Sequence, residues 1–181
     1  DKSVGERGKY WNMSGSSDSP IAAHVADLLS QASRVSRQAA KLAADDVPVA
    51  IEIPGDRLQV TTDAERLRAV LVNVLNNAQE AVRARGTDRP GGSLIRLRLS
   101  RRPPAGWRIE VIDRGLGIPA EDLARLFEPF FTTRRGGSGL GLALARNVVE
   151  GLGGAIAVDS RVNVGTTVRI DLPETTPKMA P

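Results

Sequence analysis

Apolar side chains recur every three or four residues in two stretches of the chain, a spacing typical of amphipathic helices. The first stretch covers residues 25–42, and the second, the longest, runs from Ala64 to about Arg85. Asp63 precedes the second stretch as an N-cap, with Glu65 in its first turn. Its apolar stripe consists of Leu67, Val70, Leu71, Val74, Leu75, Ala78 and Val82. We predict helices over both stretches and a third helix from about residue 139 to 150.

Alternating apolar and polar residues predict strands between these helices. The predicted strands cover residues 47–53, 58–61, 94–100, 107–112, 155–159 and 166–172, and residues 113–138 are predicted to be irregular. Two pairs of neighbouring strands resemble antiparallel hairpins, and a turn rich in proline and glycine at 103–106 joins the first pair. Because strands and helices are interspersed, we predict an α/β two-layer sandwich, a mixed β-sheet with helices packed on one face.

The chain length and composition indicate one domain with tails. Its 181 residues suit a single domain, which we place at residues 21–173. Residues 1–20 lack apolar periodicity and are interpreted as a linker or an added tail, and residues 174–181 as a C-terminal tail. Hydrophobic residues make up 41% of the chain but aromatic residues only 3%, so the core is predicted to be aliphatic.

Composition also excludes several classes of chemistry. The chain has no cysteine, which rules out disulfides, thiol catalysis and cysteine-ligated zinc, and its single histidine, His24, leaves little room for a histidine-rich metal site. No apolar run approaches the roughly 20 residues that a membrane helix needs. The N-terminus is too polar for a signal peptide. We therefore expect a cytoplasmic domain without membrane contact.

The net charge of +4 raises the question of nucleic-acid binding. The arginines are scattered and are not interleaved with aromatic residues, as they are in many nucleic-acid interfaces. The densest cluster, Arg96, Arg98, Arg101 and Arg102, partly alternates with apolar residues. We interpret this cluster as the solvated face of a strand and expect no nucleic-acid partner.

Three polar clusters carry candidate chemistry, and the first lies on the long predicted helix. Asn73, Asn77 and Glu80 stand at positions i, i+4 and i+7, so they share one face apart from the apolar stripe. Side-chain amide oxygens suit Mg²⁺, which usually takes its other ligands from water and phosphate. A plain polar surface explains this cluster equally well.

The second cluster, Asp113-Arg114-Gly115-Leu116-Gly117, follows a predicted strand. A carboxylate there can accept a hydrogen bond from an exocyclic amine such as that of adenine, and glycines let the backbone approach a flat ring. Taken alone, an ordinary Asp-Gly turn is the simpler interpretation.

The third cluster, residues 136–142, is a glycine-rich run that opens the third predicted helix. Backbone N–H groups at a helix start favour phosphate, although flexible loops are glycine-rich for other reasons. No Lys-Ser/Thr pair follows, so the run is not a P-loop, and Leu142 breaks the dinucleotide fingerprint. The run at 49–52 is similar to a protein-kinase strand motif, but Glu52 replaces the lysine and no His-Arg-Asp follows.

Taken together and in this order, the clusters resemble the four boxes of the Bergerat-fold (GHKL) ATPase and kinase superfamily. Residues 73–78 resemble the N box, 113–119 the G1 box, 126–134 the F box and 137–142 the G2 box. The resemblance spans roughly residues 21–173. The F box and the run from Asn77 to Ala81 are most similar to sensor histidine kinases of the nitrogen-regulation and oxygen-sensing type.

The resemblance implies a role for each matching residue. Asn73 and Asn77 would be catalytic and would hold Mg²⁺, Asp113 would bind the adenine amine, and residues 114–138 would form an ATP lid anchored by Phe127, Phe130 and Phe131. The implied ATP-binding residues are Asn77, Glu80, Asp113, Gly115, Gly117, Ile118, Phe131, Thr132, Arg134, Gly137, Ser138, Gly139, Leu140, Gly141, Leu142 and Thr166. Many relatives carry a lysine in place of Glu80, which leaves the role of this carboxylate open.

The resemblance also implies a function, the transfer of the γ-phosphoryl group of ATP to a histidine. That histidine would lie in a separate dimerisation and phosphotransfer domain, with a response regulator as indirect partner and this domain monomeric in isolation. His24 lacks the following acidic residue of the family's phosphoacceptor and stands too near Asn73, so we expect the phosphoacceptor domain to be absent from this chain.

Three alternatives share the fold. ATPases of the gyrase, mismatch-repair and chaperone type carry a glutamate where this chain has Asn73, and the serine/threonine kinase relatives tend to have an acidic residue there. Asn73 argues against both classes. A binding module without catalysis remains possible, because its motif residues would look the same.

Overall fold

The computed structural model describes residues 47–52, 62–86, 94–133 and 137–174. The elements are, in chain order, β1 (Val49–Glu52), α1 (Ala64–Arg85), β2 (Ile95–Arg101), β3 (Trp107–Asp113), α2 (Ala120–Leu123), α3 (Gly141–Gly151), β4 (Ala155–Arg161) and β5 (Gly165–Leu172). The helix predicted at 25–42, the strand predicted at 58–61, the N-terminal tail, His24 and most of the C-terminal tail lie outside the described residues.

The described strands form one mixed sheet in the order β1-β2-β3-β5-β4. β1 runs parallel to β2, and every other neighbouring pair is antiparallel. The two predicted hairpins, β2–β3 and β4–β5, are therefore confirmed. The ladder between β3 and β5 places Asp113 opposite Thr166, so two predicted site residues meet at one end of the sheet.

The core lies between one face of this sheet and the helices α1 and α3. Every residue of the apolar stripe predicted for α1 is buried, as are the alternate residues of β2 and β3. The largest fully buried side chains are Trp107, Leu67, Leu71, Leu75, Ile95, Leu97, Ile109, Ile170 and Leu172. The core is mostly aliphatic, as predicted, with Trp107 as its exception. The arrangement confirms the α/β two-layer sandwich.

Local signals set the ends of the helices. Asp63 caps α1 as predicted, since its Oδ1 accepts the backbone N–H of Arg66 at 3.1 Å. α3 begins at Gly141, two residues later than predicted. Gly139 has a φ of 67°, a left-handed conformation that no residue of a right-handed helix adopts. α2 is a single turn inside the stretch that we predicted to be irregular, too short for an apolar period to be visible.

The opposite face of the sheet carries charged side chains in ion pairs. Glu52 accepts from Arg96 and from Arg98, each at 2.9 Å, and Arg98 also lies 3.7 Å from Glu110. Arg108 of β3 donates to Asp171, its cross-strand partner on β5, with both ends of its guanidinium. The arginines therefore belong to a strand face of mixed charge.

Candidate functional site

Asp113 ends β3 with its side chain pointing inward, and only 7% of it is exposed. Its Oδ1 accepts the backbone N–H of Gly115 at 2.8 Å and that of Thr166 at 3.3 Å. One N–H comes from the turn after β3 and the other from the neighbouring strand. The carboxylate is thus oriented by two separate parts of the backbone.

A hydroxyl group from β4 holds the far end of the same turn. Ser160 Oγ accepts the backbone N–H of Ile118 at 2.8 Å and lies 2.9 Å from Thr166 Oγ1. It also lies 3.0 Å from the carbonyl oxygen of Gly165. Ser160 therefore links the turn that follows Asp113 to the start of β5. Sequence reasoning missed this residue, because a single serine near a strand end has no distinguishing spacing.

The amide-bearing face of α1 meets the start of α3. Asn73 and Asn77 are half-buried and Glu80 is exposed. A Cβ atom on Gly141 would lie 2.5 Å from Asn73 Oδ1, so the first residue of α3 packs directly against the asparagine side chain. The first N–H groups of a helix lack intrahelical partners and favour an anion. The first and third sequence clusters, far apart along the chain, therefore meet.

The segment between Asp113 and α3 is held partly by arginine–aromatic stacking. The Arg125 guanidinium lies 4.3 Å from the ring centre of Phe131, and that of Arg146 lies 5.4 Å from the ring centre of Phe127. Phe130 is different, because 75% of it is exposed and its backbone N–H donates to the carbonyl of Gly139 at 3.0 Å.

The remaining predicted site residues occupy varied positions. Thr132, Gly137 and Ser138 are exposed, whereas Gly117, Leu140 and Leu142 are half-buried, and Leu142 packs against the core. Arg134 lies outside the described residues. The structure thus groups Asp113, Gly115, Ile118 and Thr166 at one end of the sheet, and Asn73 and Gly141 at the contact between α1 and α3.

The donor set fits Mg²⁺ bound together with a nucleotide. Among the residues that the structure describes, no group of three or more acidic, histidine or cysteine side chains is placed to hold a metal ion by itself. The half-buried amides of Asn73 and Asn77 offer oxygen ligands on one helix face. Mg²⁺ typically combines one or two protein oxygens with phosphate oxygens and water, and these residues suit that mode.

A shallow depression of about 440 Å³ runs along α1 beside this contact. It is lined by Glu65, Arg68, Ala69, Val72, Asn73 and Asn76. Of the predicted site residues that the structure describes, only Asn73 lines it, so the depression is distinct from the surroundings of Asp113. None of the helices in the described ranges combines the length and apolar character that crossing a bilayer demands.

Comparison with known proteins identifies the family. The model of the family described as histidine kinase-, DNA gyrase B- and HSP90-like ATPases matches residues 62–176. The chain belongs to this family. Membership confirms the resemblance drawn from the four boxes, and it means that the domain binds a nucleotide.

The relatives that this family member matches include several sensor kinases. Sensor kinase CckA of Brucella abortus is 36% identical over 143 residues, which are 74% of this chain and 15% of the relative. NtrB of Rhodobacter capsulatus, a sensory histidine kinase/phosphatase, is 41% identical over 123 residues, 61% of this chain and 32% of the relative. The chain thus spans less than a third of the length of these relatives.

A solved structure shares the fold. The mycobacterial sensor histidine kinase MprB superposes with a TM-score of 0.63 at 30% identity, over 82% of this chain and 95% of that one. The similarity therefore extends over nearly all of the solved chain, and it supports the placement of this family member among sensor histidine kinases.

Proposed function

We propose that this domain binds Mg-ATP and donates its γ-phosphoryl group to a histidine of a separate dimerisation and phosphoacceptor domain. The observation that carries the proposal is the contact of Asn73 with Gly141, which joins an oxygen ligand to the start of a glycine-rich helix. A metal ligand that lies beside the N-terminus of a helix, where anions are favoured, suits a polyphosphate bound together with a metal ion. The similarity to the histidine kinases NtrB and MprB supports a histidine as acceptor.

We assign the recognition of the adenine ring to Asp113. Asp113 Oδ1 accepts the backbone N–H groups of Gly115 and Thr166, and a carboxylate has about four lone-pair sites in all, so it is a suitable acceptor for the adenine amine. Thr166, buried beside it at the start of β5, would line the same site, together with Gly115, Gly117 and Ile118. The glycine-rich run from Gly137 to Leu142 would hold the phosphates, with Arg134 and Thr132 nearby in sequence.

Asn77 and Asn73 are the residues assigned to Mg²⁺. The ion, when bound, supplies positive charge that stabilises the phosphate oxygens during transfer. Both amides are neutral and need no deprotonation, so they would hold the metal over a wide pH range. Glu80, exposed one turn beyond Asn77, would interact with the metal-bound water shell at most.

The identity of residue 73, an asparagine, favours transfer to histidine over hydrolysis. Activation of water requires a group that accepts its proton within hydrogen-bond reach, and an asparagine amide does not accept a proton at neutral pH. Glu80 lies seven residues further along α1, roughly 10 Å along its axis. An incoming imidazole brings its own nucleophilic nitrogen, so the N–P bond forms as the bond between Pγ and the ADP oxygen breaks.

The proposed partners follow from this reaction. The histidine-bearing domain of the same kinase is the direct partner, and a response regulator receives the phosphoryl group from it. A cytoplasmic location follows from the proposed substrate, since ATP is supplied there. We propose that the domain is monomeric when isolated.

Phosphoryl transfer in trans tests this function. The chain is titrated with ATP in the presence and absence of Mg²⁺, then mixed with the histidine-bearing hairpin of the same kinase made as a separate chain. We expect Mg-dependent binding and an acid-labile phosphate on the hairpin, with none on a hairpin whose histidine is replaced by glutamine. Tight ATP binding without any labelled hairpin would indicate a binding module instead.

A further inference from the structure

The last turns of α1 lie directly against the turn that follows Asp113. A Cβ atom on Gly115 would lie 2.6 Å from Ala81 Cβ, so the backbone at Gly115 rests on the helix. The backbone N–H of Leu116 donates to the carbonyl of Ala81 at 3.2 Å. The turn at the proposed base site is therefore built onto the C-terminal end of α1.

Arg85, the last residue of α1, reaches across this contact. Its Nη1 donates to the carbonyl oxygen of Gly115 at 2.8 Å and lies 3.4 Å from that of Arg114. Basic side chains at a helix end commonly bond the last carbonyls of their own helix. Arg85 instead bonds carbonyls 29 and 30 residues later in the chain.

The carbonyls of Arg114 and Gly115 lie on either side, along the chain, of the Gly115 N–H that donates to Asp113. The carbonyl of Arg114 and the N–H of Gly115 belong to the same planar peptide unit. That N–H donates to Asp113 Oδ1 at 2.8 Å, while Arg85 holds the opposite side of the unit. A peptide polarised at its oxygen donates a stronger hydrogen bond through its nitrogen, because chained hydrogen bonds reinforce one another.

We propose that Arg85 is a positioning residue for the nucleotide base. It holds the peptide between residues 114 and 115 so that the Asp113 carboxylate faces the adenine amine, and it does not touch the nucleotide itself. This inference rests on the proposed role of Asp113. A purely structural role for Arg85 would lower stability, and any weakening of binding would be equal for all nucleotides. A positioning role lowers the preference for adenine over guanine.

The test measures the affinities of ATP and GTP calorimetrically, with the melting temperature as a check on folding. Arg85→Met keeps an apolar stem without a donor, and we expect it to lose roughly tenfold in ATP affinity, with little change for GTP. Arg85→Lys restores a charged donor and should recover much of the preference. Arg83→Met is the matched control, since the Arg83 guanidinium donates to Gln79 within α1 at 2.9 Å.

Each outcome separates this inference from the proposed function. If the wild-type chain prefers ATP and a folded Arg85→Met variant is equally selective, the role of Arg85 is overturned, and the proposed function is not affected. If Arg85→Met does not fold, Arg85→Ala, which also lacks a donor, is measured in its place, and unchanged selectivity there has the same meaning. A wild-type chain that binds neither nucleotide contradicts the proposed function, and one that binds both equally contradicts the base site on which Arg85 would act.

Discussion

Asp113 accepts two backbone N–H groups through one oxygen while 93% of the residue is shielded from solvent by β3, β5 and the turn that follows. A buried carboxyl group is costly unless its oxygens are hydrogen-bonded, and these bonds offset part of that cost. The same bonds fix the direction in which the remaining lone pairs point. At the scale of the residue, the same two backbone hydrogen bonds therefore favour the burial of the Asp113 side chain and set its orientation.

Asp113→Asn is expected to weaken adenine nucleotide binding by about 1.5–3 kcal/mol, the range for a hydrogen bond to a charged group. The asparagine oxygen can keep the bonds from Gly115 and Thr166, so the fold should persist while an acceptor is replaced by an N–H donor. Calorimetric titration measures the change. Asp159→Asn removes the same charge from an exposed ion pair and should leave affinity unchanged. Unaltered affinity in folded Asp113→Asn would exclude the adenine role.

At the scale of elements, α1 combines three surfaces on one helix. Its apolar stripe covers the sheet, its amide face meets the start of α3, and its last turn supports the turn after Asp113. A helix that is fixed on one side by a buried stripe places its other side chains with little freedom. The proposed metal ligands and the base site are therefore positioned by the same packed element.

Gly141→Ala tests the contact between α1 and α3. The new methyl group would lie 2.5 Å from Asn73 Oδ1, so the asparagine or the helix start must move. We expect nucleotide affinity to fall about tenfold or more, since displacements near 1 Å have large effects at binding sites. Leu144→Ala, an exposed position on the same helix, is the control. Equal ATP affinities for Gly141→Ala and the wild type would show that this contact does not shape the phosphate site.

The ion pair between Arg108 and Asp171 joins β3 to β5 and should make stability depend on pH. The hydrogen bond from Arg108 lowers the pKa of Asp171; burial opposes it, and the charges of Arg108, Arg102 and Arg169 add to it. A carboxyl pKa below its unfolded value, about 3.9, contributes stability above that pH, and the contribution is lost as pH falls through the folded pKa.

Asp171→Asn should therefore reduce the free energy of unfolding by about 1 kcal/mol near neutral pH. The difference from the wild type should begin to shrink below about pH 4, where the carboxyl becomes protonated in the unfolded chain, and should vanish once pH falls below the lowered pKa of the folded state. Urea unfolding at several pH values measures it, and Asp159→Asn, at a more exposed pair, should show a smaller effect. A difference that stays constant down to strongly acidic pH would contradict the ionic origin of this stability.

At the scale of the whole molecule, a single two-layer sandwich brings the proposed base, metal and phosphate residues to one side of α1. The described part of the domain offers this site amides, one buried carboxylate and helix N–H groups. Such a set suits the proposed binding of a nucleotide, and Asn73 stands where ATPase relatives carry the glutamate that acts as a base for water. The domain is therefore suited to holding ATP until an acceptor arrives.

The isolated chain should accordingly bind ATP and hydrolyse it very slowly, and His24 should not become labelled. Asn73→Glu introduces a proton acceptor at the position where ATPase relatives carry glutamate, and we expect faster phosphate release if Mg²⁺ binding persists. A coupled phosphate assay with and without Mg²⁺ follows both chains. Asn147→Glu, the same substitution at an exposed position of α3, controls for added charge. Rapid turnover by the unmodified chain would contradict the kinase proposal.

Local sequence was enough to predict much of this fold. The stripe of α1, its Asp63 cap and the hairpins were all visible, because helix periodicity, capping and turn chemistry depend on neighbours in sequence. The family was visible as well, because four boxes in a fixed order are far more specific than any one of them. The start of α3 was misplaced only because a glycine sequence does not reveal the sign of its φ.

The sequence by itself thus determined most of the described elements, their buried faces and the family of this protein. Only the tertiary structure decided that Arg85 supports the turn after Asp113, that Ser160 holds Ile118, and that Gly141 rests on Asn73. The physical reason is that these contacts join elements brought together by strand order. Most of them also end on backbone N–H or C=O groups, which nearly every residue carries whatever its side chain, so no pattern of side chains predicts them.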